Sequence, residues 1–264
     1  MGRPRDVALD EAITEAGWSV LADYGYLAMS MEEVAQRAGC GRAALYRRYS
    51  GKHDLVLDLI DHGTYEGGAT GRHWTLDPID GTKGFLRGDQ YAVALALIDQ
   101  GEVVLGVLGC PNLLVDSADE EGPRGCLFFA EKGQGAFMRR LGDGVESPVS
   151  VSDVMDVSQA RFCESVEAAH SSQDDTARVA ARLQILQPPF RIDSQCKYAA
   201  VARGDASIYM RLPTRKDYEE KIWDHAAGMA VVQEAGGRVT DVAGRDPDFS
   251  LGRTLRSNQG VVVT

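Results

Sequence analysis

The chain has 264 residues, 44% hydrophobic and 25% charged, the composition of an ordinary globular protein with one large domain or two smaller ones. No apolar run approaches membrane-spanning length, and the opening "MGRPRDVALDEAITEAG" lacks the apolar core of a signal peptide, so the expectation is a cytoplasmic protein with no membrane partner. A formal charge of −11 argues against a chain that coats nucleic acid along its whole surface, although five basic residues and no acid fall between Arg37 and His53. The five cysteines (Cys40, Cys110, Cys126, Cys163, Cys196) are scattered and never spaced C-x-x-C, which reads as buried thiols rather than a disulfide framework or a zinc site.

Apolar residues at Ala8, Ile13, Ala16, Val20 and Leu21 keep helical spacing, and Gly25 offers a stop. Ser30 and Glu33 form a capping-box pair ahead of a short helix that Gly39 ends. "GRAALYRRYS" reads as another short helix, and Ser50 is placed to cap a fourth, "GKHDLVLDLI". A short helix, a glycine turn and a basic helix follow helix-turn-helix order. The stretch "SMEEVAQRAGCGRAALYRRYSGKHDLVLDLI" resembles the DNA-binding head of TetR-type repressors. That resemblance covers residues 1–62 and implies Arg42, Tyr46 and Arg47 along a recognition helix, with Tyr46 and Lys52 reaching phosphates. By itself a basic helix is more often a solvated face. Nothing after residue 62 resembles the repressors' dimerisation domain, so weak, salt-dependent DNA binding is the most a lone head would give.

The glycine-rich stretch from Gly63 to Gly71 marks a seam, beyond which the texture changes to alternating strands and glycine turns. "YAVALALI", the turn "DQGE" and "VVLGVLG" predict a hairpin, and "CLFFAEKGQGAFMRR" predicts a second. Helical patterns return in "DDTARVAARLQIL" and "DHAAGMAVVQEAGG", and strands in "RVTDV" and "GVVVT". The fold class expected is α+β: a small all-α helix-turn-helix head over residues 1–62, then a layered α/β/α domain over 63–264.

In "DPIDGTKG", Asp77 and Asp80 flank Pro78, which fixes its own backbone angle and helps both carboxylates face one point. Gly81 permits a close backbone approach, and the amides of Gly81 and Thr82 suit an anionic oxygen where a helix starts. Hard oxygen ligands beside amide donors suit Mg²⁺ with phosphate, while the plainer reading of the same letters is a good turn. Asp224 stands just before a helical pattern, where it can cap the helix and offer its free oxygen to a cation.

Together "DPIDGTKGFLRGDQYAVALALI", "GVLGCPN", "SVEAAHSS", "DSQCKYAAVARGDASIYMRLP" and "EKIWDHAAG" resemble the 3'(2'),5'-bisphosphate nucleotidases of the inositol monophosphatase superfamily, in the family's order, from residue 63 to the end. The resemblance implies a sugar-phosphatase-like fold, Mg²⁺ as cofactor, a nucleotide bisphosphate such as adenosine 3',5'-bisphosphate as substrate, and sensitivity to lithium. It implies that Asp77, Asp80 and Asp224, with the carbonyl of Ile79, ligate Mg²⁺. Asp80 and Thr82 would act in catalysis, Thr82 orienting and deprotonating the attacking water. Gly81, Thr82, His170, Ser194, Lys197 and Arg211 would hold the nucleotide and its phosphates. Without it, His170, Lys197 and Arg211 are ordinary residues of their kind.

The family's N-terminal part, which brings an early-helix carboxylate and a metal-completing glutamate, has no counterpart here, and Glu66 has no motif support as a substitute. An incomplete metal site with impaired turnover is therefore expected, along with apolar sheet faces or edges left uncovered. Three readings follow: a nucleotidase-type phosphatase, a DNA-binding regulator that senses a nucleotide, and a chimera with neither activity in full.

Overall fold

The computed structural model describes residues 7–63, 67–166, 173–212 and 218–264. The chain divides into two compact units, Met1–Tyr65 and Glu66–Thr264.

The described elements of the first unit are four helices: α1 (Val7–Ala28), α2 (Met31–Arg37), α3 (Arg42–Tyr46) and α4 (Lys52–Gly63). Their order follows the sequence, because the apolar spacing puts Ile13, Val20, Val34, Leu45, Leu55 and Leu59 into one core at zero exposure. Ser30 caps α2 as expected, its hydroxyl accepting from the Glu33 amide at 3.2 Å. Two details differ. α1 does not stop at Gly25 but bends there and runs on to Ala28. At α4 the cap works the other way round, with the Ser50 amide donating to the Asp54 carboxylate at 2.9 Å.

The cations of the basic stretch are largely engaged within the unit itself. Arg42 pairs with Glu32, Arg48 with Asp10 at 2.5 Å, and Arg37 with Asp23 at 2.6 Å and Glu33 at 3.0 Å. Lys52 donates to the carbonyls of Tyr26 and Leu27, each at 3.0 Å, and so finishes the end of α1. Tyr46 and Arg47 lie exposed at the end of α3. Most of the positive charge between Arg37 and His53 is thus matched by the unit's own acids and carbonyls, and the repressor-like assignment of Arg42, Tyr46, Arg47 and Lys52 gains no support.

The second unit opens with β1 (Arg72–Asp80) and the short helix α5 (Thr82–Arg87). The two predicted hairpins follow as β2 (Ala92–Asp99) with β3 (Glu102–Leu114), and β4 (Arg124–Glu131) with β5 (Ala136–Arg140), continued by β6 (Glu146–Val149). These form one antiparallel sheet in the order β1-β2-β3-β4-β5-β6. The remaining elements are β7 (Phe162–Glu164), α6 (Gln173–Arg182), β8 (Phe190–Arg191), α7 (Cys196–Ala202), β9 (Ile208–Arg211), α8 (Ala226–Glu234), β10 (Val239–Thr240) and β11 (Val261–Val263). A second, mixed sheet runs β10-β11-β9-β7-β8.

The layers are sheet, helices, sheet, helix, one more than the α/β/α expected. The central helices α7 and α8 are covered on both sides, each with seven buried residues that are apolar apart from Lys197 of α7. On one side they meet Ala94, Ala96, Ile98, Leu108 and Phe128 of the first sheet, and on the other Cys163 and Tyr209 of the second. Phe162 and Ile208, on the far face of the second sheet, pack with Val179 and Ala180 of α6. The far face of the first sheet carries Trp74, Leu76 and Val93, exposed at 56%, 52% and 39%, beside the partly buried Leu95, Val107, Phe129 and Phe137. Cys110, Cys126, Cys163 and Cys196 are buried thiols, as their scatter suggested, whereas Cys40 is only half-buried.

Candidate active site

The end of β1 builds the first wall of the site. A register shift between Asp77 and Asp80 lets the strand accommodate Pro78 at the sheet's edge, where a missing N–H breaks no ladder. Asp77 Oδ1 accepts from the Ile79 amide at 3.1 Å, and Thr82 Oγ1 donates to the Ile79 carbonyl at 3.2 Å. Gly81 then turns the chain with φ of 82°. A side chain there would be strained, and its Cβ would lie 2.7 Å from Cβ of Ser194, so glycine is required on both counts.

Ser194 opens the second wall and holds a left-handed φ of 65°. Its hydroxyl accepts from the Cys196 amide at 3.2 Å, a local turn bond that supports this conformation. The adjacent Asp193 accepts from the Val166 amide at 3.1 Å and from Arg87 of α5 at 2.6 Å, which ties the two walls together. Lys197, buried in the first turn of α7, faces Asp80 and sits 5.3 Å over the ring of Tyr209.

The third wall is the 3₁₀ turn Ile222–Asp224. Asp224 does not cap α8, as its position suggested. The residue preceding that helix is His225, which makes no side-chain cap bond, and the Asp224 carboxylate turns instead toward Arg211, 3.5 Å away. Arg211 also pairs with the buried Glu220 at 3.0 Å. Glu220 in turn meets His225 Nε2 at 3.1 Å, and His225 Nδ1 meets the Tyr198 hydroxyl at 2.7 Å.

The three carboxylates of Asp77, Asp80 and Asp224 each present an oxygen within 4.8 Å of the others. Burial, reinforced by Asp224 and Asp77 and opposed by Lys197 and the Gln195 amide, pushes the Asp80 carboxyl from 3.8 up to about 6. Asp77 is also held above its ordinary range, by burial and then by Asp224. Burial thus outweighs the nearby ammonium and amide at Asp80, and an all-oxygen donor set held in that state fits a hard divalent ion such as Mg²⁺. A second group, Glu220, Asp224 and His225, meets the same distance limit. It fits a metal less well, because Glu220 already bonds to both Arg211 and His225, and those partners outweigh its burial and hold its carboxyl below the ordinary range.

Asp77, Ile79, Asp80, Gly81, Thr82, Ser194, Lys197, Arg211 and Asp224 all line one cavity of about 360 Å³. His170 lies outside the described residues, as do Glu66 and Glu167. Sequence reasoning gave no part to Ser165, Gln195, Tyr209 or Tyr218, which share the cavity, or to Glu220 and His225 behind it. The last two stand inside the quoted "EKIWDH", but only their ion pairs reveal a role.

Layers of sheet and helix thus bring three aspartates to one cavity beside Lys197 and Arg211. The chain belongs to the Inositol monophosphatase family, whose pattern residues 27–264 match, taking in α2 to α4 as well as the second unit. It is 52% identical over 223 residues to a 3'(2'),5'-bisphosphate nucleotidase of Emericella nidulans, covering 79% of this chain and 63% of the relative. An Oryza sativa protein of the same description is 54% identical over 215 residues, covering 79% of this chain and 60% of its own length. The chain thus spans about three-fifths of these curated relatives. The inositol monophosphatase of Anabaena (Nostoc) sp. PCC 7120 shares the fold, with a TM-score of 0.54 and 20% identity over 98% of this chain and 88% of that one.

Proposed function

We propose that the chain is a Mg²⁺-dependent phosphomonoesterase of the 3'(2'),5'-bisphosphate nucleotidase type, which releases the 3'-phosphate of adenosine 3',5'-bisphosphate to leave AMP. The observation that carries this reading is the convergence of Asp77, Asp80 and Asp224 in a cavity that also holds Lys197, Arg211 and Thr82. The likeness to curated nucleotidases at about half identity supports it.

Asp77, Asp80 and Asp224, with the Ile79 carbonyl, are the residues that would hold Mg²⁺. When bound, the ion supplies a more acidic water and offsets charge on the phosphoryl oxygens. Thr82 is fixed by its bond to the Ile79 carbonyl, which leaves its oxygen to accept a hydrogen bond from the attacking water and orient it. The amides of Gly81 and Thr82, where α5 begins, and the ammonium of Lys197 are the donors assigned to the phosphate. Burial lowers the pKa of Lys197, and the Asp80 carboxylate works against that shift. Ser194 and Arg211 are assigned to the rest of the nucleotide, together with His170. The balance of the step is simple: water oxygen bonds to phosphorus, the bond from phosphorus to the sugar oxygen breaks, and that oxygen leaves as a hydroxyl carrying a proton.

The test is release of inorganic phosphate from adenosine 3',5'-bisphosphate by the purified chain with Mg²⁺, beside Asp80→Ala. Release by the wild type and loss by at least a hundredfold in the variant is the expected result, and equal release from both rejects the proposal.

A further inference from the structure

Gln195 is hydrogen-bonded to both of the walls on which Asp80 and Asp224 stand. It is 2% exposed and immediately precedes α7. Its backbone amide donates to the Asp80 carboxylate. Its side-chain Nε2 donates to the Trp223 carbonyl at 2.8 Å, next to Asp224, and its Oε1 accepts from the Gly228 amide at 3.1 Å. The orientation of the carboxamide follows from its partners, since a carbonyl only accepts and an amide only donates.

The bond to Gly228 solves a problem that the sequence leaves open. The first amides of α8 need acceptors, and the usual source is an Asp or Ser just ahead of the helix. The sequence offers Asp224 for that duty, but the helix begins one residue later, after His225, and a carboxylate spent on capping would be turned away from Asp77 and Asp80. Gln195 takes over the third amide of the helix from 33 residues away in sequence, and His225 makes no side-chain cap bond. Asp224 is thereby left to face the other two carboxylates.

We propose that Gln195 is a positioning residue for the divalent-cation site: its carboxamide caps α8 in place of Asp224 and holds the Asp224 turn against the Asp80 wall. The inference rests on the reading that the three aspartates share a cation, and goes beyond it by naming what keeps the third in register. The bond to the Gly228 amide is buried and the bond to the Trp223 carbonyl partly so, a setting where a satisfied polar link is stiff and an unsatisfied one costly. A side chain of equal length without polar ends leaves the Trp223 carbonyl and the Gly228 amide without that link.

The test compares the wild-type chain with Gln195→Met and, should that variant fold poorly, with the shorter Gln195→Asn. Two readouts are taken: hydrogen exchange at individual backbone amides without metal, and Mn²⁺ affinity by electron paramagnetic resonance. The expected result is exchange at least tenfold faster at Gly228 and its neighbours, unchanged exchange in the distant hairpin β4–β5, and Mn²⁺ bound about tenfold more weakly, the lower end for residues that orient metal ligands. Wild-type exchange at Gly228, wild-type Mn²⁺ affinity, or uniformly faster exchange with affinity intact each overturns the positioning role. Should the wild type bind no Mn²⁺, the cation site itself is lost, and the exchange result still decides whether Gln195 holds the Asp224 turn.

Discussion

Asp80 illustrates how a functional side chain works against the fold that carries it. Its carboxyl titrates at about 6 in the folded protein and near 3.8 in an unfolded chain, chiefly because it is buried. Between these values the folded state binds more protons than the unfolded one, so stability without metal falls as pH rises from about 4 to 6 and then levels for this group. The full effect is about 2–3 kcal/mol, and Asp77 acts in the same direction. Asp80→Asn keeps an acceptor for the Gln195 amide and removes the charge. In urea unfolding with a chelator present, the variant should therefore be more stable than the wild type at pH 7.5 and indistinguishable from it at pH 4. A variant less stable at pH 7.5 would show that the site is already neutralised without a cation. The two aspartates and the glycine after them were legible in the sequence, because a turn-forming Asp-Pro-x-Asp-Gly is local. Glu220, His225 and Gln195 were not, since each takes its meaning from partners on other elements.

At the level of elements, α7 and α8 decide where the walls of the cavity stand. A Cβ placed on Gly228 would lie 2.3 Å from Cγ of Tyr198, so the backbone of α8 rests directly against a ring on α7. Glycine within a helix is unfavourable by about 1 kcal/mol relative to alanine, and this close approach is what offsets it. Gly228→Ala should destabilise the chain by about 1–3 kcal/mol through overpacking, read from denaturant unfolding. A change below about 0.5 kcal/mol would mean that the two helices are not packed in this way. The helix itself was plain from its apolar spacing. Its closeness to Tyr198 was not, because a glycine in a periodic run gives no sign of what lies opposite it. β1 was missed for a related reason: His73 and Thr75 take its buried positions while Trp74 and Leu76 take the exposed ones, the reverse of the usual signal.

Across the whole molecule, the hairpins, α6, α8 and the change of texture near residue 63 could be read from local patterns, whereas α7 could not. The number of layers could not, because β7, β8 and β9 are two to four residues long and find their partners far along the chain. The uncovered face of the first sheet is the expectation with the clearest physical consequence. Trp74, Leu76 and Val93 lie side by side there, with aliphatic and aromatic neighbours across the strands. A face of that kind favours association at high concentration. Sedimentation should show mass rising with concentration for the wild type and a monomer for Trp74→Lys/Leu76→Lys; identical behaviour would show that the face does not drive association. The central claim, however, is that Asp77, Asp80 and Asp224 share a divalent cation. A crystal grown with Mn²⁺ tests it through anomalous scattering. The account predicts a peak at oxygen-bonding distance, roughly 2.0–2.6 Å, from all three carboxylates. A peak at Glu220 and His225 instead, or none in the cavity, would contradict it.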